Sequence, residues 1–369
     1  MSDEKDRNYA LAAAEDLPEI PAPDLPYRPP MPQRYRPRLG LIGCGGISAH
    51  HLAAYRDAGW EVTALCDQQG ERAAQRRDEF YPRAKVLTDY HALLEEQAID
   101  VVDIALHPAE RAGVIAESLK AGKHVLSQKP FVTHLDIGLE LVELARRQGR
   151  KLAVNQNGRW APYVSYVHQA IQAGLLGQVQ TVALRLNWDH TWCQGTPFEE
   201  MRHLILLDFG IHWFDMAALF FSGRRALQVH ATAARAPGQQ MRPALLAAAA
   251  VAFEEGVASL IFDGHSRFGP EESLQVTGSA GAIRTRGKLL TSDALELFTA
   301  NGVSRPKLTG QWFNDGFRGA MGELLCAIEE NREPLNGAAD NLRTLEICFA
   351  ALRSADTGQV QIPGQVRAA

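Results

Sequence analysis

Between residue 38 and about residue 155, short apolar runs alternate with stretches of helical period. The runs at 38–42, 61–66, 85–87, 101–105, 124–127 and 151–154 read as strands, and 109–121 and 135–148 read as helices. The second of these is apolar at Leu135, Ile137, Leu139, Leu141, Val142 and Leu144. Within the strand segments the apolar positions are mostly continuous, as in strands covered on both faces. Strands of that kind separated by helices predict an α/β fold with an N-terminal, doubly wound parallel sheet of the Rossmann type. Such a sheet binds ligands beyond the carboxyl ends of its strands, where Asp67, His107 and 127–131 should lie.

After Asn155 the rhythm changes. A helix at 163–173 leads to a strand at 179–188 and a long helix over about 204–221. Closely spaced runs follow at 227–234, 245–253, 257–263, 274–277, 282–285, 288–290 and 294–298, many divided by Gly or Asp turns. Runs this close leave no room for crossover helices, so the second α/β domain should carry a large, open, mostly antiparallel sheet. Helices at about 317–330 and 341–354 close the chain. The expected organisation is a proline-rich arm at 1–37, a nucleotide-binding domain at 38–156 and a substrate and assembly domain at 157–369.

The arm holds eight of the chain's 19 prolines. Proline removes backbone donors and favours an extended chain, so the segment has no core of its own. It reads either as a disordered tail or as an arm lying on a neighbouring subunit, anchored by Tyr27, Met31 and Tyr35. The rest of the composition narrows the function classes. A chain of 369 residues, 46% hydrophobic and 22% charged, suits two globular domains with sizeable cores. A net charge of −5 gives no electrostatic reason to bind nucleic acid or an anionic membrane. No apolar run approaches the ~20 residues of a membrane helix. Five scattered cysteines, never in a CxxC pair, read as reduced core thiols of a cytoplasmic protein rather than disulfides or a zinc site. The acidic amino terminus lacks a signal-peptide pattern.

The first candidate chemistry lies where the first strand breaks into Gly43, Gly45 and Gly46 and a helix resumes after Ile47. Gly43 permits the turn, and Gly45 has no side chain to hold a pyrophosphate away from the backbone N–H groups. Ser48 stands at the third glycine position of G-x-G-x-x-G, where small size is what matters. Asp67 ends the next strand, 24 positions beyond Gly43, the spacing of a carboxylate that binds the adenosine ribose. Together they predict a dinucleotide site. Asp67 would repel a 2′-phosphate, which favours NAD over NADP, although Arg72, Arg76 and Arg77 lie near enough in sequence to accommodate NADP.

Gln128, Lys129 and Pro130 follow the fifth strand, which places Lys129 beside the expected nicotinamide. There it reads as a group that donates to a substrate oxygen or relays its proton. The X-Pro bond is a candidate for the cis form. Asp208, His212 and Asp215 stand at i, i+4 and i+7, on one face of a regular helix. They read as a base with flanking carboxylates, as a hydrogen-bonded core histidine, or as metal ligands, for which no third-ligand cluster is evident. Gly210 within this helix hints at close approach by a cofactor or strand. Asn157, Arg159 and Trp160 begin the second domain and are candidates to face the cleft, Arg159 either binding a carboxylate or pairing with an acid at the domain seam. Between the strand and the long helix, His190 and Trp192 lie in an aromatic segment suited to stacking on a sugar ring, or equally to packing under the sheet.

The blocks GCGGIS, Asp67, AGKHVLSQKP, NQNGRW, DFGIHWFD and SADTGQVQIP, in this order over about residues 38–363, resemble the Gfo/Idh/MocA family of glucose-fructose oxidoreductase and inositol dehydrogenase. The resemblance implies a Rossmann domain, a second domain with a large open sheet, NAD(P) dependence and homo-oligomers, dimers or tetramers, packed through that sheet. It implies a catalytic Lys129, with Asp208 and His212 completing the site and His212 acting on the substrate hydroxyl. Cofactor contacts are expected at Gly43, Gly45, Gly46, Ile47, Asp67, His107, Gln128, Lys129, Pro130 and Asn157, and substrate contacts at Arg159, Trp160, His190 and Trp192, with no metal. Two departures stand out. Gln128 replaces a glutamate, and Leu106, His107, Pro108 and Arg111 stand where the family often has Thr-Pro-Asn and then a histidine. The expected activity is hydride transfer between nicotinamide and a secondary hydroxyl of a sugar, polyol or related cyclic substrate. The alternatives are a glycosidase or lyase that uses transient oxidation by bound NAD, and a non-catalytic sensor of NAD or sugar.

Overall fold

The computed structural model describes residues 17–221, 223–288, 290–291 and 294–369; the first sixteen residues of the proline-rich arm lie outside the described residues. Six strands form the first sheet: β1 (Arg38–Ile42), β2 (Glu61–Cys66), β3 (Lys85–Leu87), β4 (Ile99–Ile104), β5 (His124–Gln128) and β6 (Leu152–Asn155). Their order is β3-β2-β1-β4-β5-β6 and every pairing is parallel. The connecting helices are α1 (Ser48–Asp57), α2 (Gly70–Phe80), α3 (Tyr90–Glu95), α4 (Pro108–Lys120) and α5 (Leu135–Gln148). Continuous apolar strands follow from burial on both sides. In β1, Leu39 and Leu41 join one core with Leu52 and Tyr55, while Ile42 joins another with Ile104 and Val125.

The eight-stranded sheet comprises β7 (Val179–Asn187), β8 (Ala226–Ala234), β9 (Leu246–Phe253), β10 (Gly256–Asp263), β11 (Glu271–Gly278), β12 (Gly281–Gly287), β13 (Ala294–Thr299) and β14 (Gly302–Ser304). It runs β14-β13-β12-β11-β7-β10-β9-β8, antiparallel except where β10 meets β7. The remaining helices are α6 (Pro162–Gln172), α7 (Ile211–Phe220), α8 (Trp312–Glu329) and α9 (Ala338–Thr357). Leu184, Leu260, Phe262, Leu274 and Val276 share the main core with residues of α6, α7 and α9, while Val257 and Ile261 remain exposed. From α8, Phe317, Met321, Leu324 and Leu325 pack with Leu52, Tyr55 and Trp60. A helix from the far end of the chain thereby completes the nucleotide-domain core.

The two described residues of the expected strand 288–290, Lys288 and Leu290, are not in a strand. The β12 strand ends at Gly287, and Leu290 has φ 58°, which the extended backbone does not allow. The short β14, not foreseen, pairs instead with β13 on one side and the arm on the other.

The described part of the arm packs against its own chain. Ile20 N donates to Val303 O at 2.9 Å and Val303 N to Pro18 O at 2.9 Å, which covers the sheet edge. Tyr166 donates to Pro23 O at 3.0 Å, and Tyr27 packs edge-on against Tyr166. Farther on, the main-chain N–H groups of Arg34 and Tyr35 both donate to Glu329. Met31 stays exposed. At the opposite edge, Gln361 and Val229 exchange two main-chain hydrogen bonds of 2.8 Å, after which the carboxyl-terminal tail reaches Thr133 and Leu135.

Candidate active site

The turn between β1 and α1 is built around Gly43, whose φ is +96° and where a Cβ would lie 2.8 Å from the Ala105 carbonyl. At Gly45 and Gly46 a Cβ would meet nothing within 4 Å, so the main chain borders open space of the kind a pyrophosphate fills. Ser48 closes the turn by donating to Gly45 O at 2.6 Å. Asp67 stands beside it, with Oδ2 accepting from Cys44 N at 2.8 Å and Oδ1 from Gln69 N at 2.9 Å. Of the three nearby arginines, Arg76 reaches the turn, donating to Ser48 Oγ at 3.1 Å and Gly45 O at 3.3 Å. The turn fits a dinucleotide.

Lys129 leaves the end of β5 through a cis bond to Pro130, while Gln128 turns its side chain back to accept from Lys129 N at 2.9 Å. Lys129 Nζ crosses to the second domain, donating to Asp208 Oδ1 at 3.0 Å and to the Asp208 main-chain oxygen at 2.7 Å. His107 is exposed at the N-cap position of α4.

Asp208 and His212 are not on one regular helix. Residues Leu204–Phe209 form a π turn, in which Gly210 N donates to Ile205 O at 2.7 Å, before α7 begins at Ile211. A Cβ on Gly210 would lie 2.7 Å from Ile205 O and 2.9 Å from Leu206 O. The close approach at Gly210 is thus to its own helix, and a π turn re-aims the side chains around it. Asp215 leaves the expected shared face. Its carboxylate takes two 2.7 Å hydrogen bonds from Arg159 and one of 2.8 Å from Thr344. His212 lies edge-on to Trp213 and Trp312, its Nδ1 buried without a partner among the described residues. Burial first, and then the Lys129 ammonium, push the His212 imidazole well below its ordinary range. At neutral pH the ring is uncharged and offers a lone pair.

The segment after β7 joins this group through Phe209, the residue next to Asp208. His190 lies 4.0 Å and Trp192 6.1 Å from it, ring centre to ring centre, both edge-on. His190 Nδ1 engages Trp188 O at 3.0 Å and its Nε2 is buried without a partner among the described residues. Burial pushes His190 down to about 4 against the weaker opposing effects of the Trp188 carbonyl and then of Asp208. Trp192 is 53% exposed. Lys129, Asp208, His212 and His190 therefore come within reach of one another's charge where the two domains meet, and Trp192 borders them through Phe209.

Arg159 and Trp160 do not join them. The 3₁₀ turn Asn157–Trp160 is buried throughout. Arg159 is consumed by Asp215, Asp340 at 2.8 Å and Leu335 O at 2.5 Å, so it pairs with acids as one of the two readings expected, but with acids inside the second domain rather than across the seam. Trp160 packs its ring on the main chain of Gly319 in α8. Asn157 backs onto Gly316 of the same helix. The sequence reading missed Phe209 and Trp312. Phe209 adjoins the Asp208 motif and was open to detection, whereas Trp312, about a hundred positions away, carries no local signal.

Two family models cover most of the chain: an oxidoreductase family with an NAD-binding Rossmann fold over residues 37–156, and the GFO/IDH/MocA C-terminal domain over residues 164–284. The chain belongs to the Gfo/Idh/MocA family, and it is an NAD(P)-dependent oxidoreductase of that type. Among curated proteins it is similar to the D-apiose dehydrogenase of Paraburkholderia graminis, 27% identical with 86% of this chain and 88% of that one covered. It is also similar to the inositol 2-dehydrogenase of Rhizobium meliloti, 25% identical over 88% of this chain and 99% of that one. Among solved structures, an oxidoreductase from Agrobacterium radiobacter in complex with NAD+, L-tartaric acid and magnesium superposes with a TM-score of 0.81 at 21% identity, covering 89% of this chain and 99% of that one.

Proposed function

We propose that this enzyme transfers a hydride between a secondary hydroxyl carbon of a sugar, polyol or related cyclic substrate and nicotinamide. The observation that carries the reading is the contact of Lys129, from the nucleotide domain, with Asp208, beside a neutral, half-buried His212. The names of the similar dehydrogenases, acting on apiose and inositol, support this substrate class. Residues 38–156, with Asn157 contributed by the start of the second domain, bind the nucleotide: Gly43, Gly45, Gly46 and Ile47 cradle the pyrophosphate, Asp67 takes the ribose, and His107, Gln128, Lys129, Pro130 and Asn157 serve the nicotinamide half. Residues 157–369 supply Asp208, His212, His190 and Trp192.

NAD, when bound, accepts or returns the hydride. The protein's part is the proton. Lys129 donates a hydrogen bond to the substrate oxygen as negative charge grows there, Asp208 holds the ammonium in place, and His212 accepts the hydroxyl proton on its free lone pair. His190 and Trp192 bound the ring of the substrate, with the indole as a stacking face. The exposed outer face of the eight-stranded sheet, carrying Val257 and Ile261, serves homo-oligomer formation. The five cysteines are all free and buried, which supports a cytoplasmic site of action.

The test is to purify the protein, measure co-purifying nicotinamide by mass spectrometry and absorbance, and follow the NADH band across a panel of sugars and polyols. Reduction of added NAD by one substrate class supports the dehydrogenase. Tightly held NAD with substrate consumed and no NADH released would replace it with an elimination or glycosidic cleavage through internal oxidation. NAD binding without turnover of any member would leave a sensor.

A further inference from the structure

Arg111, on the first turn of α4, is 1% exposed, yet no carboxylate pairs with it among the described residues. Burying an unpaired guanidinium is unfavourable unless its donors are matched. Here they are matched by main-chain oxygens alone. Nε and one terminal nitrogen donate to Leu106 O, at 3.1 and 2.5 Å. The other terminal nitrogen donates to Gln128 O and, at 2.5 Å, to Pro130 O. Asp103, whose field acts on Arg111, gives one carboxylate oxygen to His51 at 2.6 Å and Tyr55 at 2.7 Å instead. Burial consequently pushes Arg111 down to about 9.

The two carbonyls on the single terminal nitrogen flank Lys129 on either side. The third belongs to the residue before His107. One planar fork therefore fixes the main chain at Lys129 and ties it to the loop after β4. With both neighbouring carbonyls drawn toward Arg111, the Lys129 backbone is fixed as the point from which its Nζ reaches Asp208.

We propose that Arg111 is a positioning residue, clamping the Gln128–Pro130 main chain so that Lys129 Nζ is held at Asp208. Its consequence for turnover rests on the proposed role of Lys129, but the placement of Lys129 does not. The departure from the usual loop sequence at Arg111 has a physical account on this basis. A shorter side chain at this position would not span from Leu106 O to Pro130 O.

The experiment compares Arg111→Met and Arg111→Lys with the unmodified enzyme, all shown to be folded by thermal melts, and with Lys129→Ala. Ligand-free protein is labelled with a lysine-directed reagent and the sites are quantified by mass spectrometry. In parallel, kcat, substrate KM and the NADH dissociation constant are measured. In Arg111→Met, Lys129 labelling is expected to rise several-fold while labelling of the exposed Lys307, which makes no contact with the clamp, stays constant, and kcat is expected to fall ~10- to 100-fold with NADH affinity held. Arg111→Lys, which retains a cation able to reach part of the carbonyl set, is expected to fall between the two and serves alone if Arg111→Met does not fold. Unchanged Lys129 labelling in a folded Arg111 variant would overturn the proposal. If Lys129→Ala keeps its turnover while the labelling of Lys129 still rises in the Arg111 variants, the clamp stands and the catalytic reading of Lys129 falls.

Discussion

Lys129 Nζ lies 3.0 Å from Asp208 Oδ1, and the side chains of the pair are 16% and 14% exposed. It is an ion pair between residues 79 positions apart, one ending a strand of the parallel sheet and the other in a π turn of the second domain. A pair so placed orients the ammonium without closing it off from a substrate. Asp208→Asn keeps the shape and removes the charge. We expect kcat to fall by ~10²–10³, with NADH affinity nearly unchanged. Stopped-flow hydride transfer and NADH fluorescence titration measure the two separately, and a loss confined to NADH affinity would reassign Asp208.

Asp67→Ala should weaken NAD more than NADP. The carboxylate holds Cys44 N and Gln69 N, so its removal loosens the turn for both cofactors. Only NAD also loses a ribose acceptor, while NADP is relieved of a repulsive charge beside its 2′-phosphate. Paired titrations with both cofactors check this. An equal loss would leave Asp67 as a brace of the turn and nothing more.

The parallel sheet was legible because strands buried on both faces, such as β1, must be apolar nearly throughout, and because Gly43 and Asp67 are fixed by local turn geometry. Lys129 was legible for the same reason, as it follows directly from a strand end. What escaped depends on partners remote in sequence. Nothing local to Arg159 says that Asp215 and Asp340 will surround it, and nothing local to Trp160 says that Gly319 will receive its ring. The three-residue spacing from His212 to Asp215 is helical, but an extra residue in the preceding turn had already altered how Asp208 and His212 relate. The arm shows the same limit: proline fixed its extended shape, whereas its course across Val303 and Glu329 is set by those distant residues.

Glu272 on β11 gives a pH dependence of stability. Its carboxylate is buried and accepts from Tyr163 at 2.5 Å, Trp213 Nε1 at 3.1 Å and Leu290 N at 3.0 Å. Burial outweighs these donors and pushes it up to about 7. An unfolded glutamate ionises near ~4.3. Between those values the folded protein keeps a proton that the unfolded chain has released, so this contribution is full at acid pH and is lost as pH rises to about 7, by about 4 kcal/mol at most. His124, His168 and His190, pushed down to about 4 chiefly by burial, act oppositely as pH falls below about 6.5. Comparison with Glu272→Gln isolates the carboxyl: the variant should lose less stability than the unmodified protein between about pH 5 and about pH 8. Parallel denaturant titrations at the two pH values would show it, and identical differences would remove Glu272 as the source.

Arg159→Met should damage the fold and spare the site. It leaves Asp215 buried without its two hydrogen bonds from the guanidinium, the situation in which a broken buried pair destabilises by about 3–5 kcal/mol. Substrate KM for the folded fraction should stay close to that of the unmodified enzyme. A large rise in KM with an unchanged melting temperature would return Arg159 to the substrate.

Gly210→Ala separates a π turn from a regular helix by the sign of its effect. In a regular helix the added methyl would stabilise by up to ~1 kcal/mol, because alanine is the better helix former. Here the methyl would press against Ile205 O and Leu206 O, which face it at 2.7 and 2.9 Å and belong to main chain that has no other course. The turn must open, and opening it shifts Asp208 relative to Lys129 and His212. We therefore expect destabilisation of about 1–3 kcal/mol and a fall in kcat that exceeds any change in NADH affinity. Calorimetry together with single-turnover kinetics decides between the two, and a variant more stable than the unmodified protein with full kcat would mean that residues 204–220 form one regular helix.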